Sequence, residues 1–161
     1  MGVAAGINHT LLVTDLGQVL SCGYNAHGQL GLGDTTNRHT PCLVEELVGT
    51  FVVQVAAGSF SSGAVSATGK SFTWGRSVRY TLGHGTTDRQ TKPKLVEALA
   101  KYTITQLALG NGHGLALDDK GNVYSWGGGA AGIYGCPSAH GQGHNDDQKL
   151  PKQIEYLKDN K

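Results

Sequence analysis

The fold is decided by residues 3–34, which read VAAGINHTLLVTDLGQVLSCGYNAHGQLGLGD. The glycines of this stretch recur later in the chain at a constant step of 52 residues. Three series keep that step: Gly6, Gly58 and Gly110; Gly17, Gly69 and Gly121; and Gly23, Gly75 and Gly127. Repetition at a fixed step of this size is typical of proteins built from stacked structural repeats. The sequence therefore predicts three copies of one structural unit.

These units account for the whole length of the sequence. Pro41 and Pro93 are also 52 residues apart, whereas Pro93 and Pro151 are 58 residues apart. The third unit therefore has six more residues than the others, and we place them between Cys136 and Lys149. We expect a single repeat array over residues 1–161, with units at approximately 3–50, 51–102 and 103–157 and a tail at 158–161.

Each unit has the pattern of a small antiparallel sheet. In the second unit the apolar run 51–57 predicts a first strand, and residues 63–66 and 71–74 predict the next two. A tight hairpin turn is expected at Gly69, because glycine readily supplies the positive φ that such a turn needs. A fourth strand is expected at 94–97, after a longer loop. A four-stranded unit of this length is typical of a propeller blade, which buries its faces by stacking on neighbouring blades.

Two familiar propeller repeats fit this unit less well. Tryptophan–aspartate repeats run about 40–45 residues and carry a Trp-Asp pair, which this sequence lacks. Kelch repeats run near 50 residues and are usually marked by a Gly-Gly pair in every copy. Only the third unit has such a pair, at Gly127–Gly129.

Most motifs of the first unit have counterparts in the other two. The second unit keeps residues 55–58 and 74–75, and the third keeps parts of 110–117 and 121–127. Together with residues 25–34 of the first unit, these motifs resemble the repeat of the regulator of chromosome condensation family. The resemblance covers essentially the whole chain.

This resemblance implies an all-β propeller, typically with seven blades. Seven units of this length would need about 364 residues, so three units form an arc that is part of a seven-bladed ring. An open arc leaves unpaired strand edges and apolar blade faces, which aggregate or recruit partners. We therefore expect a partial β-propeller of three four-stranded antiparallel blades. It either belongs to a longer protein or assembles with further copies to complete a ring.

Composition and charge exclude several classes of protein. Glycine accounts for 25 of the 161 residues, and only 16% of the residues are charged. Helical bundles need charged helix faces and avoid glycine. A disordered tail would not be 39% hydrophobic. The net charge of +1 is unlike that of a dedicated nucleic-acid binder, so chromatin is a less favoured partner than a protein.

Membrane insertion and secretion are not expected either. The apolar runs of the sequence are far too short to span a bilayer. Residues 1–6 lack the basic start and the apolar stretch of a signal peptide. The cysteines Cys22, Cys42 and Cys136 have no CxxC spacing and indicate reduced thiols. We therefore expect an intracellular protein, in the cytoplasm or the nucleus, with no membrane partner.

Charge is distributed unevenly among the three units. Residues 1–51 carry one basic and four acidic residues (net −3), residues 52–103 carry seven and two (net +5), and residues 104–161 carry five and six (net −1). The middle unit is therefore a basic blade between two acidic ones. Because arginine and tyrosine are enriched at interface hot spots, we expect this blade to contact an acidic protein surface; the alternative is a solvated basic face. The predicted partner-binding residues are Arg76, Arg79, Tyr80, Arg89, Lys92 and Lys94.

The histidines and cysteines do not have the spacing of a nucleophilic active site. His9 and His113 occupy equivalent positions, with Ser61 between them in register, and no base or nucleophile recurs beside them. We expect both to be hydrogen-bonded blade histidines. Cys22 aligns with the two tryptophans, Trp74 and Trp126, so we expect a buried, small apolar side chain there.

Two further segments suggest ligand binding and are interpreted otherwise. Gly28–Gly33 is glycine-rich but lacks the Gly-Lys-Ser/Thr end of a phosphate-binding loop. The segment with His140, His144, Asp146 and Asp147 has donors that suit a divalent metal, but its glycines favour a surface loop. We therefore predict no cofactor, no metal site and no enzyme activity.

Taken with the resemblance, these observations predict a non-catalytic protein-interaction scaffold that binds partners through propeller loops. The alternative implied by the resemblance is guanine-nucleotide exchange on a Ran-like small GTPase, in which a protruding β-wedge acts on the nucleotide site. Only the insertion between Cys136 and Lys149 departs from the repeat length, and it holds glycine and histidine rather than a strand-forming run. Another implied setting is a docking region of a larger kinase, ubiquitin ligase or ciliary protein.

Overall fold

The computed structural model describes residues 1–129 and 140–158. It contains twelve strands in three four-stranded antiparallel sheets, which confirms the predicted all-β class. Within each sheet the strands lie in sequence order, and each strand pairs with the next one in the chain. Cys136, at one end of the predicted insertion, lies outside the described residues.

The three sheets are called blades 1, 2 and 3. Blade 1 comprises β1 (Gly2–Ala5), β2 (His9–Val13), β3 (Val19–Gly23) and β4 (Arg38–Leu43). Blade 2 comprises β5 (Val52–Ala57), β6 (Ser61–Ser66), β7 (Ser71–Gly75) and β8 (Gln90–Leu95). Blade 3 comprises β9 (Ile104–Leu109), β10 (His113–Asp118), β11 (Val123–Gly127) and β12 (Gln148–Gln153). One-turn 3₁₀ helices lie at Glu45–Leu47, Val78–Tyr80, Glu97–Leu99 and Glu155–Leu157.

The fourth strand of blade 2 begins earlier than the sequence predicts. It spans Gln90–Leu95 rather than 94–97, and Glu97 belongs to a 3₁₀ helix. Pro93 lies inside this strand. Proline is tolerated there because β8 is the outer strand of its sheet and pairs only with β7.

The first strands of the three blades lie next to one another. β1 contacts β5, and β5 contacts β9. The glycines at their ends approach so closely that side chains do not fit between them. A Cβ atom on Gly6 would lie 2.6 Å from the Gly58 carbonyl oxygen, and one on Gly58 would lie 2.5 Å from that of Gly110. This close backbone approach explains why glycine recurs at the first of the 52-residue series.

Burial alternates along the second strand of each outer blade but not in the middle blade. Every residue of Ser61–Ser66 is buried. In blade 1 the buried residues of β2 are His9, Leu11 and Val13. In blade 3 the buried residues of β10 are those of the opposite parity: Gly114, Ala116 and Asp118. The middle blade is therefore covered on both faces, and each outer blade is covered on the face toward it.

Two apolar clusters fill the spaces between the blades. The first joins blades 1 and 2, and it includes Leu11, Val19 and Trp74. The second joins blades 2 and 3 and includes Leu107 and Trp126. Both tryptophans are fully buried. Because one blade cannot bury its own faces, these two interfaces hold the array together.

Cys22 corrects one sequence-based expectation, because it is half-buried rather than buried. The equivalent Trp74 and Trp126 pack on the preceding blade, with their indole rings against Gly31 and Gly83. Cys22 lies on the face of blade 1 that points away from blade 2. Sequence alignment identified a packing position correctly, but it did not reveal whether a second blade covers it.

Candidate protein-interaction face

Several loops of all three blades share one end of the molecule. The loop after the third strand of each blade hydrogen-bonds to the turn between its first two strands. The backbone amides of Tyr24, Arg76 and Gly128 donate to the carbonyl oxygens of Asn8, Phe60 and Gly112 at 2.7, 2.9 and 2.7 Å, respectively. We call this end the loop face. The hairpin turns at Gly17, Gly69 and Gly121 lie at the opposite end.

A group of aromatic and basic side chains lies on the loop face where blades 1 and 2 meet. The guanidinium carbon of Arg76 is 5.6 Å from the centre of the Phe60 ring, which is cation–π geometry. The His27 ring meets the Phe60 ring edge-on at 5.2 Å and the Tyr24 ring at 6.2 Å. Arg89 reaches across from blade 2 and donates from Nη1 to the Ala26 carbonyl oxygen at 3.2 Å. The cluster formed by Tyr24, His27, Phe60, Arg76 and Arg89 is called the aromatic–arginine cluster.

The charge of this cluster comes from its arginines. Burial lowers the pKa of His27 below its usual value, and the positive charges of Arg76 and Arg89 lower it further. His27 is therefore neutral at pH 7. Both arginines are exposed. The cluster thus presents two guanidinium groups beside aromatic rings, which is a suitable arrangement for binding carboxylates and aromatic side chains together.

Arg79 and Tyr80 lie elsewhere on the loop face, at the boundary with blade 3. The Nη2 atom of Arg79 lies 2.6 Å from Oδ1 of Asp147, and its Nε lies 3.1 Å from the same oxygen. The Gly129 amide also donates to Asp147, at 3.2 Å. Burial alone would raise the pKa of Asp147, but the hydrogen bonds from Arg79 and Gly129 hold it below its usual value. The pair therefore remains ionised at neutral pH and connects the loops of blades 2 and 3.

The backbone at these two residues is unusual. Arg79 and Tyr80 have φ values of 53° and 65°, in the left-handed region. In the first unit the residue equivalent to Tyr80 is Gly28, whose φ is 77°. A non-glycine residue in this region costs about 1–2 kcal/mol. Lys149 of blade 3 places its Nζ 5.5 Å from the centre of the Tyr80 ring.

The two lysines of the predicted site lie on the outer strand of blade 2. Lys92 forms an exposed ion pair with Glu46 of blade 1, with 3.0 Å between Nζ and Oε2. Lys94 is exposed. The pKa of the neighbouring His84 is lowered to about 4, chiefly by burial and also by the charge of Lys94.

The six predicted residues therefore fall into three places. Arg76 and Arg89 belong to one cluster, the Arg79–Tyr80 turn contacts blade 3, and the lysines follow β8. Sequence reasoning missed Tyr24, His27 and Phe60 as members of the cluster. The signal available for them was weak, because aromatic residues in turns recur at no fixed position in the three units.

The histidines in the blades have different surroundings. His9 is buried, and its Nε2 lies 2.9 Å from the Ser62 hydroxyl oxygen, which confirms the hydrogen-bonded blade histidine predicted there. Burial lowers its pKa to about 4. His113, at the equivalent position of blade 3, is half-buried, and its pKa is also lowered by burial and by His140.

The predicted surface loop around His140 is partly described. His140 Nε2 lies 2.9 Å from the Asp146 carbonyl oxygen, and its Nδ1 accepts from the Gln142 amide at 3.3 Å. The Asp146 amide donates to Nδ1 of His144 at 3.2 Å. Over residues 1–129 and 140–158, no group of three or more histidine, cysteine, aspartate or glutamate side chains is placed to hold a metal ion. That same part of the chain has no helix long and apolar enough to cross a membrane.

Two family models match the sequence, and both are described as the regulator of chromosome condensation (RCC1) repeat. The first matches residues 17–65 and 68–117, and the second matches residues 2–29 and 104–133. The matches fall in all three units. They follow the same 52-residue repetition as the glycine series.

Curated relatives are similar over nearly the whole chain. Human HERC2, described as an E3 ubiquitin-protein ligase, is 38% identical over 159 residues, which are 98% of this chain and 3% of that protein. The Arabidopsis thaliana ultraviolet-B receptor UVR8 is 36% identical over 159 residues, 99% of this chain and 35% of the receptor. Human RCC2 is 36% identical over 92% of this chain and 27% of its own length. The chain thus spans only a minor part of each of these relatives.

Solved structures are similar in fold over 95% of the chain. Human WBSCR16 superposes with a TM-score of 0.81 at 32% sequence identity, and the match covers 37% of that chain. Prp20p from Saccharomyces cerevisiae also superposes with a TM-score of 0.81, at 25% identity and 37% coverage. The report of that structure describes binding properties of Prp20p to Gsp1p and histones.

Proposed function

Because the chain belongs to the regulator of chromosome condensation repeat family, we propose that it is a non-catalytic protein-interaction module. In this proposal its loop face binds the acidic surface of a partner protein. The observation that carries the proposal is the aromatic–arginine cluster, in which Arg76 and Arg89 present exposed cations beside the Phe60 ring. Clustered arginine and aromatic side chains are typical of the residues that dominate binding energy at protein interfaces.

The contacts of the cluster favour recognition over simple solvation. Arg76 stacks on Phe60, and Arg89 is held by the Ala26 carbonyl oxygen. Side chains that are already held in place lose less conformational entropy when they bind a partner. Guanidinium groups also bind carboxylates through two parallel hydrogen bonds, which gives direction as well as affinity. An acidic partner surface is therefore the chemical complement of this cluster.

The other predicted residues have supporting roles in this proposal. Arg79 and Tyr80 shape the loop, because the ion pair with Asp147 and the left-handed turn fix its course beside blade 3. Lys92 and Lys94 contribute positive charge along β8, which accelerates encounter with an acidic protein. Their effect on binding is therefore smaller and more sensitive to salt than that of the arginines.

A matched pair of charge variants tests this proposal. The wild-type chain, Arg76→Gln/Arg89→Gln and Lys92→Gln/Lys94→Gln are immobilised, proteins are captured from a cell extract, and a captured protein is purified for calorimetry. Both variants remove two positive charges from blade 2. We expect the arginine variant to bind at least about tenfold more weakly and the lysine variant to bind within about threefold of wild type. Wild-type binding by the arginine variant, or equal losses in both variants, would contradict the proposal.

The alternative function is guanine-nucleotide exchange on a small GTPase. It is favoured by the likeness to Prp20p, whose described binding properties include Gsp1p. Release of fluorescent GDP from Gsp1p is the measurement that discriminates between the two functions. Acceleration by catalytic amounts of the chain would establish exchange and displace the scaffold proposal, whereas unchanged release rates leave the scaffold as the function.

We also propose that the protein acts inside the cell. Its thiols Cys22 and Cys42 are free, as suits a reducing compartment. Immunofluorescence with compartment markers tests this placement: cytoplasmic or nuclear signal supports it, and signal confined to the secretory pathway contradicts it.

A further inference from the structure

The two ends of the arc have different, partly uncovered faces. The first end face is the face of blade 1 that points away from blade 2, and it contains Val3, Thr10, Leu12, Leu20 and Cys22. The last end face is the face of blade 3 that points away from blade 2, and it contains Gln106, His113, Leu115, Leu117 and Val123. All of these side chains are exposed or half-buried.

The last end face repeats a surface that is covered elsewhere in the same molecule. His9, Leu11, Val13 and Val19 of blade 1 pack against blade 2 and are at most 4% exposed. Their equivalents in blade 3, at steps of 104 residues, are His113, Leu115, Leu117 and Val123. The last end face is therefore half of a blade interface, and it lacks only the blade that would cover it.

The first end face corresponds to the other half of that interface. Val3 is 75% exposed, whereas its equivalents Val55 and Leu107 are 7% and 1% exposed inside the molecule. Leu12 and Cys22 replace Ala64 and Trp74 of blade 2. The larger Leu12 partly compensates for the smaller Cys22, so the apolar character of the face is kept.

Polar groups on the two end faces also match. Between blades 1 and 2, His9 bonds to the hydroxyl of Ser62. Between blades 2 and 3, the equivalents are Ser61 and Gly114, so histidine and hydroxyl are lost together. His113 on the last end face regains the histidine. Thr10, the equivalent of Ser62 on the first end face, provides the hydroxyl.

Gln106 gives a second polar match. Its equivalent in blade 2, Gln54, donates from Nε2 to the Leu107 carbonyl oxygen at 2.9 Å and accepts from the Leu107 amide at 2.8 Å. Gln106 is exposed on the last end face. The residue equivalent to Leu107 on the first end face is Val3, so its backbone offers the partner groups that Gln106 needs.

From this complementarity we propose that the last end face binds the first end face of a second copy of this chain. The contact is head-to-tail and continues the blade stacking seen twice within the molecule. It pairs His113 with Thr10 of the second copy, and Gln106 with the backbone of Val3. A contact of this kind joins unlike surfaces, so it produces rings or linear assemblies rather than a symmetric pair.

Two variants that each block one end test this geometry. Leu12→Asp places a charge on the first end face only, and Leu117→Asp does so on the last end face only. Molar mass is measured by light scattering under reducing conditions, which prevents disulfide-linked dimers. We expect wild type to associate with increasing concentration and each variant alone to be monomeric. An equimolar mixture of the two should form a dimer with one copy of each, because one unblocked face of each kind remains.

Leu16→Asp is the matched control, because Leu16 is 75% exposed in a hairpin turn and lies outside both end faces. It should associate as wild type does. Circular dichroism checks that each variant is folded, and Val3→Asp with Gln106→Glu provides a second pair at exposed positions. The proposal is overturned by a wild type that stays monomeric, by association of either blocked variant alone, or by a mixture that does not pair.

Discussion

The interface between blades 1 and 2 and the interface between blades 2 and 3 share an apolar design. In the first, the Trp74 indole donates to the Gln29 carbonyl oxygen at 2.9 Å. In the second, the Trp126 indole donates to the Thr81 carbonyl oxygen at 2.7 Å. Each ring packs on a glycine of the preceding blade. The repeat thus reproduces the large, shape-dependent part of the contact at every step.

The polar parts of the two interfaces differ. The first interface contains the His9–Ser62 hydrogen bond, and Ser62 also donates to the Gln29 carbonyl oxygen at 2.7 Å. The second contains the double hydrogen bond between Gln54 and the Leu107 backbone. Apolar packing therefore holds any two blades together, and polar pairs distinguish one junction from the other. This matches the general role of buried polar groups in selecting one arrangement among several.

The largest expected effect tests the shared design. Trp74→Ala and Trp126→Ala should each lower the free energy of unfolding by about 3–5 kcal/mol, because each opens a cavity and leaves a buried carbonyl oxygen unpaired. Denaturant unfolding measures both. Cys22→Ala is the control at the equivalent half-buried position and should cost about 1 kcal/mol or less. A small effect at one tryptophan would show that the two interfaces are not alike.

Mild acid should weaken the first interface more than the second. The pKa of His9 is about 4 in the folded chain, against about 6.5 when unfolded. Between these values the unfolded chain binds more protons, so stability is complete above pH 6.5 and falls as the pH is lowered toward 4. The loss from this residue is on the order of 1–2 kcal/mol at pH 5. Thermal unfolding as a function of pH measures it.

The matched variant for the acid effect is His9→Gln, which keeps a hydrogen-bonding side chain but does not titrate in this range. Its unfolding temperature should depend less on pH between 6.5 and 4 than that of wild type. Ser61, the equivalent residue at the second interface, adds no titrating group there. Identical pH profiles for wild type and His9→Gln would contradict the assignment of this effect to the first interface.

Gln54→Ala should weaken the second interface selectively. It removes the side chain that pairs with both backbone groups of Leu107, at a cost of about 1–3 kcal/mol. Hydrogen exchange should then speed up in β9 more than in β1. Gln18→Ala, at a turn in blade 1, is a suitable glutamine control and should leave both strands unchanged. Faster exchange confined to β1 would refute the proposed division of polar contacts.

The smallest effects concern the ion pairs that connect neighbouring blades. Arg79 and Asp147 are 34% and 26% exposed, whereas Lys92 and Glu46 are 62% and 47% exposed. Arg79→Gln should destabilise the chain by about 1 kcal/mol, and Lys92→Gln by less than about 0.5 kcal/mol. Added salt should shrink both effects. A larger loss for Lys92→Gln than for Arg79→Gln would show that exposure does not set their ranking.

The repeat predicted most of this architecture, because glycine spacing and strand patterning are local features of the sequence. It did not place β8 correctly, since Pro93 suggested a break where an edge strand tolerates proline. It aligned Cys22 with the tryptophans but could not show that this face of blade 1 is only half covered. Local patterns identify blades well, whereas coverage depends on which blades are neighbours.

The candidate site was less predictable for the same reason. The basic character of blade 2 was visible in the sequence, and it led to Arg76 and Arg89. The ion pair of Arg79 with Asp147 joins residues 68 positions apart, and no spacing rule announces it. The contact of His27 with Phe60 also crosses between blades. Residues on different blades meet only because the sheets stack.

The most direct test of the proposed function is a hydrogen-exchange footprint of the chain with the purified partner identified by capture. Partner binding at the aromatic–arginine cluster should slow amide exchange in residues 24–29, 58–60 and 76–89. It should leave the hairpin turn at 66–70, at the opposite end of blade 2, unchanged. Slower exchange at 66–70 without any change at 58–60 and 76–89 would contradict the assignment of the loop face as the interaction surface.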